Sequence, residues 1–453
     1  MAMEHMSRRH FVKAGLAPAI QLSFAKGAPS DRVNIAVVGL HNRGRDHIRE
    51  FAKVPNVRIV ALCDVDERLF AENVAMVEEL TGFRPDTEWD FRRLLERKDL
   101  DAVSLATPDY WHALQTIWAC QAGKDVYVEK PVSFTIVEGR KMVEAARKYR
   151  RIVQAGLQRR SDGMLRAAVR FLHEGGLGRV YRGKAILNKP RGNIGRVQES
   201  SIPQGVHWDL FLGPSPYKPF TLNRFHYGWH FFWDTSTTDV GNSGVHELDE
   251  LRWGMGKREH PVRIHSTGGL YGWEDTDQET PNVQVATFEY ADGTLLEIEV
   301  NNLPGPDRSM SRNVFYGSKG YLSSSDRYQP KFVQLLPNER WPEVRPSGVN
   351  EHATRISFPR WQDLPSPKLE PEPTVSHFQN FIDCVRSRRV EDLYCDIEEG
   401  HISTTLCHLA NISFRTGRKL VFDPKTERFV NDEEANRYLT RQYREPYVLP
   451  DSV

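Results

Sequence analysis

The sequence predicts an α/β protein of two domains: a doubly wound parallel sheet, then an α/β domain on an open, mostly antiparallel sheet. Three observations carry that reading. The chain has 453 residues, more than one average domain and enough to bury a sizeable core. From Asn34 to Gly156, short apolar runs alternate with helical patterns, which implies parallel strands joined by right-handed crossovers. Past Gly163 the β-type segments lengthen and turn signals separate them, as in an antiparallel sheet. The boundaries read from the chain are 1–31 for a leader, 32–157 for the first domain, 158–425 for the second and 426–453 for a C-terminal tail.

Asn34 to Val38 is a near-continuous apolar run, as a strand buried on both faces should be. Gly39-Leu40-His41-Asn42-Arg43-Gly44 follows, then a helical pattern from Arg45 to Lys53 and a second strand from Arg58 to Asp64. Strand, glycine loop, helix and strand form the setting of a dinucleotide fingerprint. One position departs from it. His41 stands where the middle glycine normally lets the backbone approach a pyrophosphate. Either its β-carbon pushes the phosphates outward or its ring lines the site. Gly39, His41, Asn42, Arg43 and Gly44 are therefore candidate cofactor residues. Asp64 ends the second strand, where a carboxylate accepts both ribose hydroxyls and repels a 2′-phosphate. NAD is expected over NADP.

Glu67 to Leu80 reads as a helix and Asp90 to Glu96 as a short one. Ala102 to Ala106 is a strand that ends in Thr107-Pro108-Asp109, and Trp111 to Ala122 is helical. Val126 to Val128 then form a buried strand with Glu129-Lys130-Pro131 at its carboxyl end, where open α/β sheets bind ligands. Proline cannot continue a ladder and disfavours helix at the residue before it. Lys130 is thus expected to be extended at that edge, a candidate proton carrier. A helix from Thr135 to Tyr149 and a strand from Ile152 to Ala155 lead to Gly156 and Gln158.

In the second half a helix from Met164 to His173 precedes strands at 180–187, 282–290, 294–301 and 313–316. Pro342 to Pro373 reads as a proline-rich surface excursion. Two helices close the domain. One carries Phe378, Phe381, Ile382 and Val385 on one face. The other starts at Asp396 with Glu399 three residues on, a capping-box pattern.

Net charge is +1 and the basic residues are scattered, so neither nucleic acid nor a polybasic membrane surface is expected as a partner. The five cysteines form no CxxC pair; neither a disulfide framework nor a structural zinc is expected. No apolar run is long enough to span a bilayer, so no stable membrane anchor is expected. Ser7-Arg8-Arg9-His10-Phe11-Val12-Lys13 has the pattern of a twin-arginine export signal. Ala14 to Ala25 would be the weakly apolar stretch after it, interrupted by Pro18 and Gln21. The motif implies a periplasmic or otherwise exported protein. A disordered basic start on a cytoplasmic protein is the alternative.

Four stretches taken together resemble the Gfo/Idh/MocA oxidoreductase family: Glu129-Lys130-Pro131, the Thr107 to His112 stretch TPDYWH, the His207 to Pro214 stretch HWDLFLGP, and the Gly244 to Asp249 stretch GVHELD. The resemblance runs from Arg32 to the C-terminus. It implies an NAD-binding Rossmann domain, then an α/β domain for substrate whose outer sheet face makes homo-oligomers, dimers or tetramers. It implies cofactor contacts from Thr107, Pro108, His112, Glu129, Lys130, Gln158 and Trp208. The family pairs the lysine of its EKP motif with a histidine, and often with an aspartate four residues earlier. Lys130 and His246 match. Asn242 occupies the aspartate position and cannot take a proton, although its amide can orient a sugar hydroxyl. Asp239 lies three residues before Asn242.

Oxidising a carbinol requires a hydride acceptor and a base of near-neutral pKa. Burial lowers a lysine towards that range, and histidine relays protons without such help. Lys130 and His246 are the expected catalytic pair. Trp208, Trp229, His230, Phe231, Phe232 and Trp233 form an aromatic-rich region before His246; they either face sugar rings or belong to the core. The expected substrate residues are Lys130, His207, Trp229, His230, Asp234, Asn242 and His246, and the expected substrate is a carbohydrate or cyclitol. His226 and His230 are four apart, as metal ligands on a helix are. Gly228 between them and the missing carboxylates argue against this, and no metal site is expected.

Export would separate the protein from the soluble NAD pool. Three modes escape that problem: a non-dissociating cofactor shuttling between donor and acceptor sugars, epimerisation, and NAD-dependent glycosidase or lyase chemistry through transient oxidation at C3. A non-catalytic sugar- and NAD-binding protein is the remaining alternative, to which Asn242 points.

Overall fold

The computed structural model describes residues 32–305, 311–335 and 361–453. The expected export signal and residues 342–360 of the proline-rich excursion lie outside the described residues.

The first domain runs β1 (Val33–Val38), α1 (Asn42–Ala52), β2 (Val57–Cys63), α2 (Phe70–Thr81) and β3 (Asp86–Glu88). It continues with α3 (Phe91–Leu94), β4 (Ala102–Leu105), α4 (Asp109–Gln121), β5 (Asp125–Glu129), α5 (Ile136–Lys148) and β6 (Val153–Gly156). The six strands are parallel in the order β3-β2-β1-β4-β5-β6. β4 and β5 are buried along their whole length, which is why they read as apolar runs rather than alternating ones. The winding reverses between β1 and β4, and the diverging loops leave a crevice at their carboxyl ends.

The second domain opens with α6 (Gly163–His173), β7 (Val180–Asn188), α7 (Trp208–Leu212), α8 (Thr238–Asn242) and α9 (Gly244–Gly254). Strands β8 (Arg263–Gly269), β9 (Val283–Glu289), β10 (Leu295–Asn301), β11 (Ser311–Gly317) and β12 (Gly320–Ser323) follow. Then come β13 (Pro330–Leu335), β14 (Trp361–Leu364), α10 (His377–Ser387), α11 (Ile397–Thr416), β15 (Leu420–Asp423), β16 (Arg428–Phe429) and α12 (Glu433–Arg437). These strands form one sheet, β14-β13-β12-β11-β7-β10-β9-β8-β15-β16. Only β7 and β10 pair in parallel among the described residues. On β10, Leu296, Ile298 and Val300 are buried while Leu295 is exposed, the period of a sheet covered on one face. α9 lies across β7, β10 and β11, and α11 across β8.

Several local expectations change. The segment from Glu67 starts as a 3₁₀ turn, Glu67–Leu69, with Asp66 as its cap, and α2 proper begins at Phe70. Asp396 does cap α11, through the Glu398 N–H, but no capping box forms there. Glu399 turns instead to Arg160, at 3.0 Å, and to Arg252, because two buried guanidiniums outcompete one backbone N–H for a carboxylate. The box forms at Thr135 and Glu138 on α5. α10 does not close the second domain; Phe378 stacks on Tyr127 at 4.8 Å and packs against Phe51, completing the core under the parallel sheet. Beyond residue 426, Arg441 donates to the Tyr110 carbonyl at 2.8 Å and pairs with Glu138 at 3.0 Å, so the C-terminal segment braces α4 against α5. All five cysteines are buried free thiols. No helix among the described residues is long and apolar enough to cross a membrane.

Candidate active site

The glycine loop follows from two close approaches. Gly39 has φ +85°, and a Cβ on it would sit 2.6 Å from the Ala106 carbonyl oxygen. A Cβ on Gly44 would sit 1.7 Å from the Gly39 carbonyl oxygen. Neither position admits a side chain. His41 between them has φ −76° in extended backbone and caps α1, a geometry open to any residue. Asp64 holds the loop from below. Its Oδ2 accepts the Leu40 N–H at 2.6 Å and its Oδ1 the Asp66 N–H at 2.9 Å. Burial raises this carboxyl to about 6 against those two bonds.

A cavity of about 310 Å³ opens along the crevice. Gly39, His41, Asn42, Arg43, Asp64, Thr107, Pro108, His112, Glu129, Lys130, Trp229, His230 and Asn242 line it. Of the sequence-predicted residues, Gly44, Gln158, His207, Trp208, Asp234 and His246 are not in its lining.

Glu129 anchors the lysine loop rather than facing the cavity freely. Its Oε1 accepts from Arg43 at 2.7 Å, His47 at 3.1 Å and Gln158 at 2.7 Å. Burial would raise this carboxyl, but Arg43, His47 and Lys130 hold it well below the usual range. His112 supplies the second anchor. Its Nδ1 lies 2.7 Å from the Pro131 carbonyl and its Nε2 2.9 Å from that of Thr107. Burial pushes this ring down to about 4, so it is neutral and donates to only one of the two.

Between these anchors, Lys130 precedes a cis peptide to Pro131 and extends towards the second domain. Its Nζ donates to the Asn242 carbonyl at 2.6 Å and approaches the Asn242 side-chain oxygen at 3.4 Å. Burial lowers its pKa, Glu129 opposes this, and Lys189 adds to it. Asn242 in turn donates to Asp239 at 3.3 Å. Asp239 is held by Arg191 at 2.8 and 2.5 Å, which removes it as a free base. His246 lies one turn after Asn242, in the first turn of α9, and its Nδ1 is buried without a partner among the described residues. Burial, with Lys130 as the next cause, holds it well below its ordinary value.

The remaining predicted residues divide between the cavity, the core and polar contacts outside both. His230 gives its Nδ1 to the Tyr227 carbonyl at 2.7 Å and stacks on Trp229 at 3.6 Å. Burial takes it down to about 3, so the neutral ring keeps Nε2 as an acceptor. Trp208 is core: it is buried against Phe211, Phe220 and Phe225, with its N–H on the Lys218 carbonyl at 2.8 Å. Asp234 is bound to Arg224 at 2.7 Å. His207 stacks on Trp89 at 4.2 Å and reaches Glu67 at 2.6 Å. His226 and His230 do not share a centre, because His226 turns to Asp66 at 2.9 Å. The residues that sequence reasoning missed are Asp109, Lys189, Arg191 and Tyr227. Lys189 and Arg191 sit in a long loop, Tyr227 in a 3₁₀ turn and Asp109 at a helix start, where no period marks them; Asp109 alone fell inside a quoted motif.

Two contacts bring the second domain over the nucleotide loop. The Val206 segment bridges Asp66, with His207 N–H on the Val65 carbonyl at 2.8 Å. His41 and His226 stack at 4.7 Å. A separate trio, buried His260 and His401 with half-buried Glu427, offers three ligand atoms within 4.8 Å of one another. Arg140 already supplies the balancing charge there, at 2.7 and 3.1 Å from the Glu427 carboxylate.

This fold and site define a class: a two-domain protein with a dinucleotide crevice and a desolvated lysine at the carboxyl edge of its sheet. Residues 33–157 match the model of an oxidoreductase family with an NAD-binding Rossmann fold. Residues 192–329 and 353–449 match the same family's C-terminal alpha/beta domain. The chain belongs to the Gfo/Idh/MocA oxidoreductase family, and NAD is that family's cofactor. It is 30% identical over 168 residues to a glycosyl hydrolase family 109 protein of Shewanella pealeana, a match spanning 31% of this chain and 37% of that relative. It is 25% identical over 272 residues to an inositol 2-dehydrogenase of Klebsiella pneumoniae, across 59% of this chain and 67% of that one. Among solved structures, the WlbA dehydrogenase of Bordetella pertussis in complex with NADH and UDP-GlcNAcA shares the fold with a TM-score of 0.61 at 19% identity, covering 86% of this chain and 99% of that one. The aldose-aldose oxidoreductase of Caulobacter crescentus does so with a TM-score of 0.61 at 16% identity, covering 86% and 100%.

Proposed function

We propose that the protein oxidises a hydroxyl of a carbohydrate or cyclitol with NAD, and that Lys130, aided by His246, moves the hydroxyl proton. The observation that carries this reading is the half-buried Lys130 amine, which lines the crevice and meets Asn242 four residues before His246. NAD fits the crevice: Gly39, His41, Asn42, Arg43 and Asp64 line the cavity at the loop and would hold it. When bound, NAD supplies the hydride acceptor. Lys130, lowered by burial, takes the proton as a neutral amine, and Asn242 orients it. Trp229 offers an apolar face to a sugar ring, and the His230 Nε2 accepts a hydroxyl.

A second reading is redox-neutral turnover on a retained cofactor, as an NAD-dependent glycosidase or lyase. The contact of His41 with His226 across the nucleotide crevice and the glycosyl hydrolase relative favour it. Export directed by the Ser7 to Lys13 motif would make such retention necessary, and a reporter fusion to residues 1–31 tests that export. Homo-oligomers through the open face of the second sheet, which exposes Val285 and Leu295, complete the proposal.

Mass spectrometry of the ligand released on denaturation, followed by a panel of free sugars, inositols and p-nitrophenyl glycosides, tests the function. Stoichiometric NAD with reduction by a sugar or inositol supports the oxidoreductase. Glycoside cleavage without net reduction supports the second reading. Sugar affinity with neither reaction would make the protein a binding protein.

A further inference from the structure

The carboxylates around the cavity are, with one exception, fully committed. Asp64 accepts two backbone N–H groups, and Arg68 and Arg92 hold Asp66 and Asp90. Glu129 serves Arg43, His47 and Gln158, and Arg191 holds Asp239. The exception is Asp109, at the start of α4 and 1% exposed. Its Oδ2 accepts the Thr237 hydroxyl at 2.6 Å, while its Oδ1 is buried with no partner among the described residues. An orphaned carboxylate oxygen costs free energy until something satisfies it. Asp109 lines the same cavity as Lys130. The charged groups that face it are Lys130 from the β5 loop, Arg441 from the C-terminal segment and Glu138 from α5. Arg441 and Glu138 pair with each other at 3.0 Å, and Lys130 is the third charge of that set.

We propose that Asp109 is the relay that takes the proton from Lys130, a task Asn242 cannot perform. This deepens the reading of Lys130 as the base and rests on it. The substrate O–H bond breaks and its proton joins the Lys130 amine, while the electron pair of the carbinol C–H bond leaves as hydride to the nicotinamide. The ammonium then gives its proton to the Asp109 carboxylate, restoring the free amine and leaving a neutral carboxyl. The relay requires Lys130 to rotate away from Asn242, on which its amine rests, or to pass the proton through one water. Burial, opposed by Thr237 and Lys130, brings the Asp109 carboxyl to about 7, in the range where such a group exchanges protons both ways.

Infrared titration of the NAD-loaded protein tests the relay without a substrate. The expected result is a carboxyl band titrating near 7 that Asp109→Asn removes while the Asp64 band near 6 stays. The midpoint of the Asp109 band should move up by roughly one unit in Lys130→Met, because the lysine charge no longer favours the carboxylate. Asp109→Asn should also slow nicotinamide reduction by about 10²-fold with NAD affinity unchanged. Should Asp109→Asn misfold, the Lys130→Met titration of the native carboxyl decides alone. A band that is missing, or unmoved by Lys130→Met, overturns the relay. So does reduction by Asp109→Asn within twofold of wild type. A wild-type protein that still reduces its nicotinamide would then keep Lys130 as the base.

Discussion

The imidazole of His41, in the nucleotide loop of the first domain, stacks on that of His226 from the second, with centroids 4.7 Å apart and planes inclined by 29°. The residue that breaks the glycine pattern thus has a partner across the crevice, and that partner is itself held by Asp66 at 2.9 Å. His226→Ala, or His41→Gly, should release NAD about tenfold faster, in line with the loss of one ring contact. Dialysis of the loaded protein with mass spectrometry of retained NAD measures this.

The same contact should be sensitive to acid. Burial lowers both rings from 6.5, with Arg45 adding to the effect at His41 and its partner ring adding to it at His226. When the stack opens, the rings return towards 6.5 and bind protons more readily, so the open form gains below that pH. NAD retention should therefore hold above neutrality and weaken as pH falls through 6.5, and His226→Ala should flatten the dependence.

Lys130 sets the pH dependence of turnover in the opposite part of the range. Its amine must be neutral to accept a proton, so the rate rises with pH through its pKa. Burial places that midpoint below the ordinary lysine value of 10.5. A pH–rate profile on whichever sugar reduces the cofactor should show this limb at a lower pH than free lysine.

Glu129 predicts a stability effect separate from chemistry. Its folded pKa lies well below 4.5, so its stabilisation is full above 4.5 and is lost as pH falls towards the folded value. Glu129→Gln leaves Arg43 and buried His47 without their carboxylate and should cost about 3 kcal/mol at neutral pH. Thermal melts from pH 7 to 3 check both statements, since the variant should lose less on acidification than wild type.

The parallel sheet was legible because β1, β4 and β5 are buried on both faces and leave uninterrupted apolar runs. Glu129-Lys130-Pro131 was legible as a strand end because proline marks it. The site's second half was not. Arg191 and Lys189 lie in a long loop and Tyr227 in a 3₁₀ turn, where side chains follow tertiary contacts, not local period. Trp208 and His207 belong to a motif, yet the indole fills an aromatic core and the imidazole stacks on Trp89. A sequence does not distinguish an aromatic that packs from one that faces a ligand. The segment of α10 reads as the amphipathic helix it is, but nothing local tells which domain its apolar face covers.

The most direct test of the account is nicotinamide reduction in Lys130→Met and His246→Ala, each loaded with NAD and mixed with the sugar that reduces the wild-type cofactor. Both should retain NAD at wild-type stoichiometry while the appearance of reduced nicotinamide slows by about 10²- to 10⁴-fold. Reduction at the wild-type rate in both variants would contradict it.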